Sequence, residues 1–150
     1  MELGGKSPNI FFKSVCDQDD AFLDKAVEGA VLFALNQGEV CTCQSRLLVQ
    51  EDIYNQFIER VVARTEAIKT GDPLDPSTMM GAQVSQAQHE RIVNYLNIGI
   101  SEGAKVLTGG MANDVVSGGY YIKPSTPRRS SNPWCCLPCL PTCALDERRV

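Results

Sequence analysis

The sequence predicts an α/β domain in which mostly parallel strands pack against flanking helices. Two observations support this class. Short apolar runs alternate with stretches whose apolar residues recur every three or four positions, and turn residues separate the two kinds of segment. With 150 residues, a hydrophobic fraction of 43% and no internal repeat, the chain is long enough to bury one core of its own. We therefore expect one α/β unit.

The first half of the chain contains two predicted strands and one helix between them. Pro8–Phe12 is an apolar run after a Gly-Gly turn, which is typical of a buried strand. Asp19 or Asp20 can cap a helix that Gly38 ends, because aspartate accepts free N–H groups and glycine adopts the left-handed conformation. Residues 46–50 form the second predicted strand. The apolar positions expected to face the core from this helix are Phe22, Ala26, Ala30 and Phe33.

The second half is predicted to hold two longer helices and two short strands. Asp52 begins an amphipathic helix that ends in the turn-rich segment after Gly71. A third helix runs from Gln86 to about Glu102. Residues 104–107 and 120–123 are candidate strands on either side of a glycine-rich loop. The apolar stripes of the two helices are Ile53, Phe57, Val61 and Ile68, and then Ile92, Leu96 and Ile100.

Charge and hydropathy exclude several classes of function. The net charge is −4 with no long run of one sign, so we expect no nucleic-acid partner. No apolar stretch approaches the roughly 20 residues of a membrane span, and no secretory leader is visible, so we expect no membrane contact. The predicted compartment is the cytoplasm, where cysteines stay reduced.

Residues 125–150 differ in composition from the rest of the chain. They hold four of the seven cysteines, four of the eight prolines and the only tryptophan, so we predict a disordered tail that follows a domain at residues 1–124. The spacing of Cys136 and Cys139 also fits a zinc ligand pair, but a structural zinc site needs a second pair elsewhere. We therefore expect no metal site.

Two short segments carry residues suited to covalent chemistry at a carbonyl carbon. MELGGKSP opens the chain and places the carboxylate of Glu2 beside a Gly-Gly turn, and NQGEVCTC places Cys41 after a helix and a turn. A lone cysteine is more often a small buried hydrophobe, but a turn directly after a helix presents the next side chain at a rim. We assign Cys41 to chemistry and Cys43, two residues further on, to packing. Cys16, in a polar loop, is given no role.

Both segments resemble the active-site signatures of the aldehyde dehydrogenase family. Residues 1–12 are similar to its glutamate signature and residues 35–45 to its cysteine signature. QEDIYNQFIER, GDPLDPSTMMGAQVS and EGAKVLTGG also look like family sequence, so the resemblance covers residues 1–124 and implies a partial catalytic domain of that fold. The core EVCTC looks most like a bacterial subgroup that oxidises short aliphatic aldehydes such as acetaldehyde.

The resemblance implies a role for each residue of the catalytic pair. Cys41 would attack the aldehyde carbon, and its own backbone N–H would donate to the resulting oxyanion. Hydride would pass to NAD or NADP and leave a thioester on Cys41. Glu2 would be the general base that activates the hydrolysing water. Val40 and Thr42 would line the aldehyde pocket.

The resemblance also implies contacts to the cofactor. Leu3 and Gly4 would approach the nicotinamide through backbone atoms. Gln88 and Arg91, one helical turn apart, would contact the cofactor ribose. His89 lies between them, and we expect it on the solvated face of the helix.

The chain departs from full-length family members at both ends. Most of the cofactor-binding domain, which completes the oxyanion hole and holds the cofactor phosphates, would precede Glu2. The similarity stops near residue 124, before a second glutamate and the oligomerisation segment of these homo-oligomers, and the sequence beyond it resembles a shifted reading frame. One hypothesis is therefore an aldehyde dehydrogenase fragment that retains chemistry at Cys41, including ester hydrolysis without a cofactor. The other is a non-catalytic remnant, or a dominant-negative partner of full-length subunits.

Overall fold

The computed structural model describes residue 5 and residues 7–110, 118–128 and 135–138, with the backbone alone for residue 35 and residues 135–138. Three α-helices and five strands lie in these ranges. The helices are α1 (Ala21–Val31), α2 (Tyr54–Glu66) and α3 (Gln86–Ser101). The strands are β1 (Ser7–Phe11), β2 (Gln44–Val49), β3 (Lys105–Val106), β4 (Pro127–Arg128) and β5 (Cys135–Pro138).

The first two strands are parallel neighbours, as the α/β class requires. Ser7 pairs with Gln44 and Phe11 with Val49, while α1 makes the crossover between the strands. The sheet order is β1-β2-β5, with β5 antiparallel to β2, so β1 lies at an edge of the described sheet. A separate antiparallel pair joins β3 to β4. The α/β class and the first two predicted strands are confirmed.

Helix α1 begins where the sequence predicts, and the predicted core positions Ala30 and Phe33 are buried, but Phe22 is not. The Asp20 carboxylate accepts from the N–H groups of Phe22 and Leu23 at 2.9 and 3.2 Å, an N-cap worth about 1 kcal/mol. Phe22 was predicted to be buried and is 62% exposed, whereas Leu23 is fully buried. Both stripes have three- and four-residue spacing, so the periodicity alone does not choose between them. The buried positions of α1 are Leu23, Val27, Ala30 and Val31.

The main core lies between the sheet and helices α1 and α2. Phe57 on α2 is fully buried, and its ring centroid lies 4.5 Å from that of Phe11 on β1. The predicted stripe of α2 is therefore confirmed at this position. A smaller cluster joins Ile92 and Leu96 of α3 to Ile122. Ile100, predicted to belong to the same stripe, is mostly exposed near the end of α3.

The segment from residue 120 to residue 128 forms its strand further along the chain than the prediction placed it. Residues 120–123 were expected to form a strand, but among the described residues they carry one isolated bridge, from Lys123 to Gly110. The strand lies just beyond, at β4, which pairs with β3. Gly109 permits the close approach, since its φ is +80° and a Cβ there would lie 2.1 Å from the carbonyl oxygen of Pro124.

Two short strands lie in the segment that was predicted to be disordered. β4 pairs with β3, and the backbone of β5 pairs with β2. The division of the chain at residue 124 stays a prediction. No helix in the described ranges has the length and hydrophobicity that crossing a membrane requires.

Candidate active site

The loop that carries Cys41 follows an unusual left-handed turn. Helix α1 ends at Val31, and a 3-10 helix, Leu32–Gly38, continues the chain. Gly38 has the positive φ that was predicted, +75°, but Asn36 and Gln37 also have positive φ values, +47° and +59°. Non-glycine residues in this region cost about 1–3 kcal/mol each, and they persist only where their surroundings hold them.

Two hydrogen bonds connect this turn to the segment that precedes α3. The side-chain amide of Gln83 donates from Nε2 to the carbonyl oxygen of Gln37 at 3.2 Å. The backbone N–H of Val84 donates to Oε1 of Glu39, also at 3.2 Å. Within the turn, the N–H of Glu39 donates to the carbonyl oxygen of Asn36 at 2.9 Å. The backbone on the amino-terminal side of Cys41 is therefore held by hydrogen bonds from a distant segment of the chain.

The residues around Cys41 differ in their exposure. Cys41 and Thr42 are exposed, and Val40 is just exposed. Cys43 is half-buried and packs against the main core, as expected, and its N–H donates to the carbonyl oxygen of Val40 at 3.1 Å. The thiol assigned to chemistry is thus accessible, and the thiol assigned to packing is packed.

Cys16 was placed in a polar loop by the sequence, and this was wrong. It lies in a 3-10 helix, Lys13–Cys16, where it is half-buried and packs against the main core. Burial raises the pKa of the Cys16 thiol, while the Arg60 guanidinium opposes this shift. The polar residues around Cys16 do not predict its burial, because the core residues that Cys16 contacts come from distant segments of the chain.

The difference between these thiols leads to a measurable selectivity. At pH 8 we expect iodoacetamide to alkylate Cys41 several-fold faster than Cys16, because a raised pKa leaves less thiolate at Cys16 and burial limits access. The rate at Cys16 should continue to rise as the pH approaches its raised pKa. Peptide mapping by mass spectrometry over a pH series measures both rates. Equal rates at pH 8 would contradict the assigned environments.

The predicted ribose-binding residues lie at the start of α3. Ser85 caps this helix, its Oγ accepting from the N–H of Gln88 at 3.2 Å. Gln88 is half-buried, and Arg91 is exposed one turn further on. His89 was expected on the solvated face, but it is half-buried and its ring centroid lies 6.4 Å from that of Tyr120. The tyrosine, which is distant in sequence, covers it.

The structure brings the start of α3 beside the Cys41 loop. Val84, whose N–H contacts Glu39, precedes the first residue of α3 by only two positions. The sequence did not single out Gln37, Glu39 or Gln83 as site residues. All three lie inside the stretches that resemble family sequence, and this resemblance was the feature of the sequence that could have indicated them.

Two cavities lie near this region. One of about 20 Å³ is lined by residues of the turn and its brace, among them Gln37, Gly38 and Gln83. An open one of about 340 Å³ is lined by polar residues including Thr65, Thr70 and Thr108. Cys41 lines neither of them.

The other predicted site residues, near the amino terminus, do not belong to the part of the chain that the structure describes. Glu2, Leu3 and Gly4 fall outside the described residues. In the described ranges no group of three or more His, Cys, Asp or Glu side chains is arranged to hold a metal ion. The side chains of the zinc alternative, Cys135, Cys136, Cys139 and Cys143, also fall outside the described part.

The fold and the accessible cysteine indicate part of an α/β enzyme domain, and comparison with known proteins identifies it. The sequence model of the aldehyde dehydrogenase family matches residues 1–132. The chain belongs to this family. The match continues eight residues past the predicted boundary at residue 124.

Relatives and solved structures agree with this assignment. The chain is 62% identical over 128 residues to an aldehyde dehydrogenase of Paracoccus denitrificans, and 58% identical over 128 residues to acetaldehyde dehydrogenase 2 of Cupriavidus necator. Each alignment covers 83% of this chain and 25% of the relative. Betaine aldehyde dehydrogenase from Staphylococcus aureus, solved with NAD⁺, matches with a TM-score of 0.74 at 34% identity, over 84% of this chain and 24% of that one. The chain thus spans about a quarter of the length of its relatives.

Proposed function

We propose that this chain is the nucleophile-bearing part of an aldehyde dehydrogenase, which oxidises an aldehyde to a carboxylate with NAD or NADP. The parallel pairing of β1 with β2 is the observation that carries the proposal. Ser7 at the start of β1 lies beside Gln44 at the start of β2, so the amino-terminal ends of both strands lie at the same end of the sheet. Cys41 precedes Gln44 by three residues, and Glu2 precedes Ser7 by five. At up to about 3.5 Å per residue, these spans allow the two groups to reach one substrate.

Cys41 is the proposed nucleophile. Its sulfur adds to the aldehyde carbon, a C–S bond forms, and the carbonyl electrons move to the oxygen. The backbone N–H of Cys41 donates to this oxyanion, and Val40 and Thr42 flank the substrate. Removal of hydride from the same carbon then leaves a thioester on Cys41. The exposure of Cys41 supports this role, because the sulfur must meet a substrate.

Glu2 is the proposed general base for the second half of the reaction. Its carboxylate takes a proton from the water that attacks the thioester carbon. The C–S bond then breaks and releases the carboxylate product and the Cys41 thiolate. A base in this role contributes about 10²–10⁴-fold to the rate.

The residues at the start of α3 fit a dinucleotide. The Gln88 amide and the Arg91 guanidinium both offer N–H donors of the kind that ribose hydroxyls accept, on one helix face beside the Cys41 loop. NAD or NADP supplies the hydride acceptor when bound. We assign Gln88 and Arg91 to the ribose, and the backbone of Leu3 and Gly4 to the nicotinamide.

The compartment and the substrate follow from the family assignment. We expect a cytoplasmic protein that acts on short aliphatic aldehydes, because the relative in Cupriavidus necator is an acetaldehyde dehydrogenase. Assembly with other aldehyde dehydrogenase subunits is part of the proposal, since about three quarters of each relative's length lies outside the matched region.

A kinetic assay tests this function. Purified chain with acetaldehyde and either cofactor should reduce the cofactor, and p-nitrophenyl acetate should be hydrolysed without any cofactor. The ester reaction needs no hydride acceptor, because the ester acylates Cys41 directly and the thioester is then hydrolysed as before, so we expect it to be the more robust of the two. Absence of both reactions would reject standalone catalysis.

The second candidate is a non-catalytic partner of full-length subunits. The coverage favours it, because the chain spans about a quarter of the length of its relatives. Size-exclusion chromatography with a full-length relative discriminates between the two. Co-elution together with lowered activity of the relative supports the partner role, and independent elution rejects it.

A further inference from the structure

We propose that Gln83 is a positioning residue for the candidate nucleophile: its side-chain amide holds the left-handed turn, residues 36–38, from which the Cys41 loop leaves. The inference rests on the proposed function, because the orientation of this loop matters to chemistry only if Cys41 is the nucleophile. Gln83 acts through the backbone of Gln37 and touches no reacting atom.

The turn requires support from outside its own segment. Asn36 and Gln37 both have positive φ values, and such residues relax to ordinary backbone angles unless contacts prevent it. The internal hydrogen bond from Glu39 to Asn36 closes the turn but does not fix its direction relative to the sheet. A contact from another element is needed for that.

Gln83 is suited to provide this contact because it is buried and its backbone is hydrogen-bonded to another segment. Its side chain is 5% exposed, and its backbone N–H donates to the carbonyl oxygen of Tyr120 at 2.8 Å. From that anchored position Nε2 donates to the carbonyl oxygen of Gln37. The two segments are in close contact, since a Cβ added at Gly81 would lie 2.9 Å from Nε2 of Gln37.

The next residue after Gln83 adds a second contact in the same direction. The N–H of Val84 donates to the carboxylate of Glu39. Two consecutive residues of one segment therefore hold the residues four and two positions before Cys41. This fixes the backbone that leads into the Cys41 N–H, the proposed oxyanion donor.

The test compares Gln83→Leu with Gln56→Leu, a matched change at an exposed position on α2. Leucine fills a similar volume, and the Gln83 Oε1 that it removes has no hydrogen-bond partner among the described residues, so we expect the variant to fold. Hydrogen exchange at the amide of Glu39 should be faster in Gln83→Leu than in Gln56→Leu. The kcat for p-nitrophenyl acetate should fall by about 10- to 100-fold with KM little changed, since small misplacements carry penalties of this size.

Further variants separate the possible failures. Glu39→Leu removes the second contact and should also speed exchange, while Glu39→Gln keeps an acceptor and should restore the parent rate. If Gln83→Leu does not fold, Gln83→Met, which keeps an unbranched side chain but lacks the Nε2 donor, takes its place with the same expected result, and the Glu39 pair tests the contact from Val84 alone. Unchanged exchange and unchanged kcat in a folded Gln83→Leu would overturn the positioning role. If Cys41→Ala hydrolyses the ester at the parent rate, the proposed function fails instead, and the exchange data still show whether Gln83 holds the turn.

Discussion

Replacing Cys41 by alanine is expected to abolish thiol-dependent ester hydrolysis and aldehyde oxidation by this chain. Removal of the nucleophile eliminates the covalent route, and in a well-studied hydrolase such a loss exceeds about 10³-fold in kcat. Cys41 is exposed in a loop, so the substitution removes little packing and should leave the unfolding transition near that of the parent. Initial rates with p-nitrophenyl acetate, measured beside the melting temperature, give both quantities.

Cys43→Ala is the matched control for this experiment. Cys43 lies two residues away in the same loop, but it is half-buried against the core. Its replacement should lower stability modestly and leave the acyl-transfer rate within a few-fold of the parent. The reverse pattern, with activity lost at Cys43 and retained at Cys41, would show that the nucleophile has been assigned to the wrong sulfur.

Phe57→Ala is expected to produce the largest loss of stability. Phe57 is 0% exposed and its ring lies 4.5 Å from that of Phe11, at the junction of the sheet and α2. Truncating a buried phenylalanine removes transfer free energy and leaves a cavity, which together lower the free energy of unfolding by about 3–5 kcal/mol. Urea denaturation followed by circular dichroism measures the change.

Phe12→Ala provides the comparison at an exposed position. Phe12 is 60% exposed directly after β1, so its truncation should change the free energy of unfolding by less than about 0.5 kcal/mol. Equal losses for the two phenylalanines would mean that the core is not centred on Phe57.

The sequence predicted those features that depend on neighbouring residues. The N-cap at Asp20, the strands β1 and β2, and the limits of α3 follow from local composition, and all agree with the structure to within two residues. The same holds for the burial of Phe57, which lies on the predicted apolar stripe of α2. Local patterns and tertiary structure agree at these places.

Other features depend on contacts between distant segments, and the sequence did not predict them. Phe22 and Leu23 belong to equally regular stripes, and only packing against the sheet selects Leu23. The strand β4, which lies beyond residues 120–123, pairs with β3 next to the close approach of Gly109 to Pro124, and both contacts join segments about 15 residues or more apart. Gln83 lies 46 positions from Gln37, so no local rule connects them. For the candidate site, the sequence predicted the cysteine but not the hydrogen bonds that hold the turn before it.

The position of β1 at the rim of the described sheet affects how the purified protein behaves in solution. One side of its backbone has no strand partner among the described residues, and the neighbouring Ile10 side chain is half in contact with solvent. Such a rim can template the addition of a foreign strand, and the tendency grows with concentration. Dilute, cold solutions with a charged co-solute should therefore aggregate more slowly than concentrated ones. Light scattering measures the onset of this aggregation.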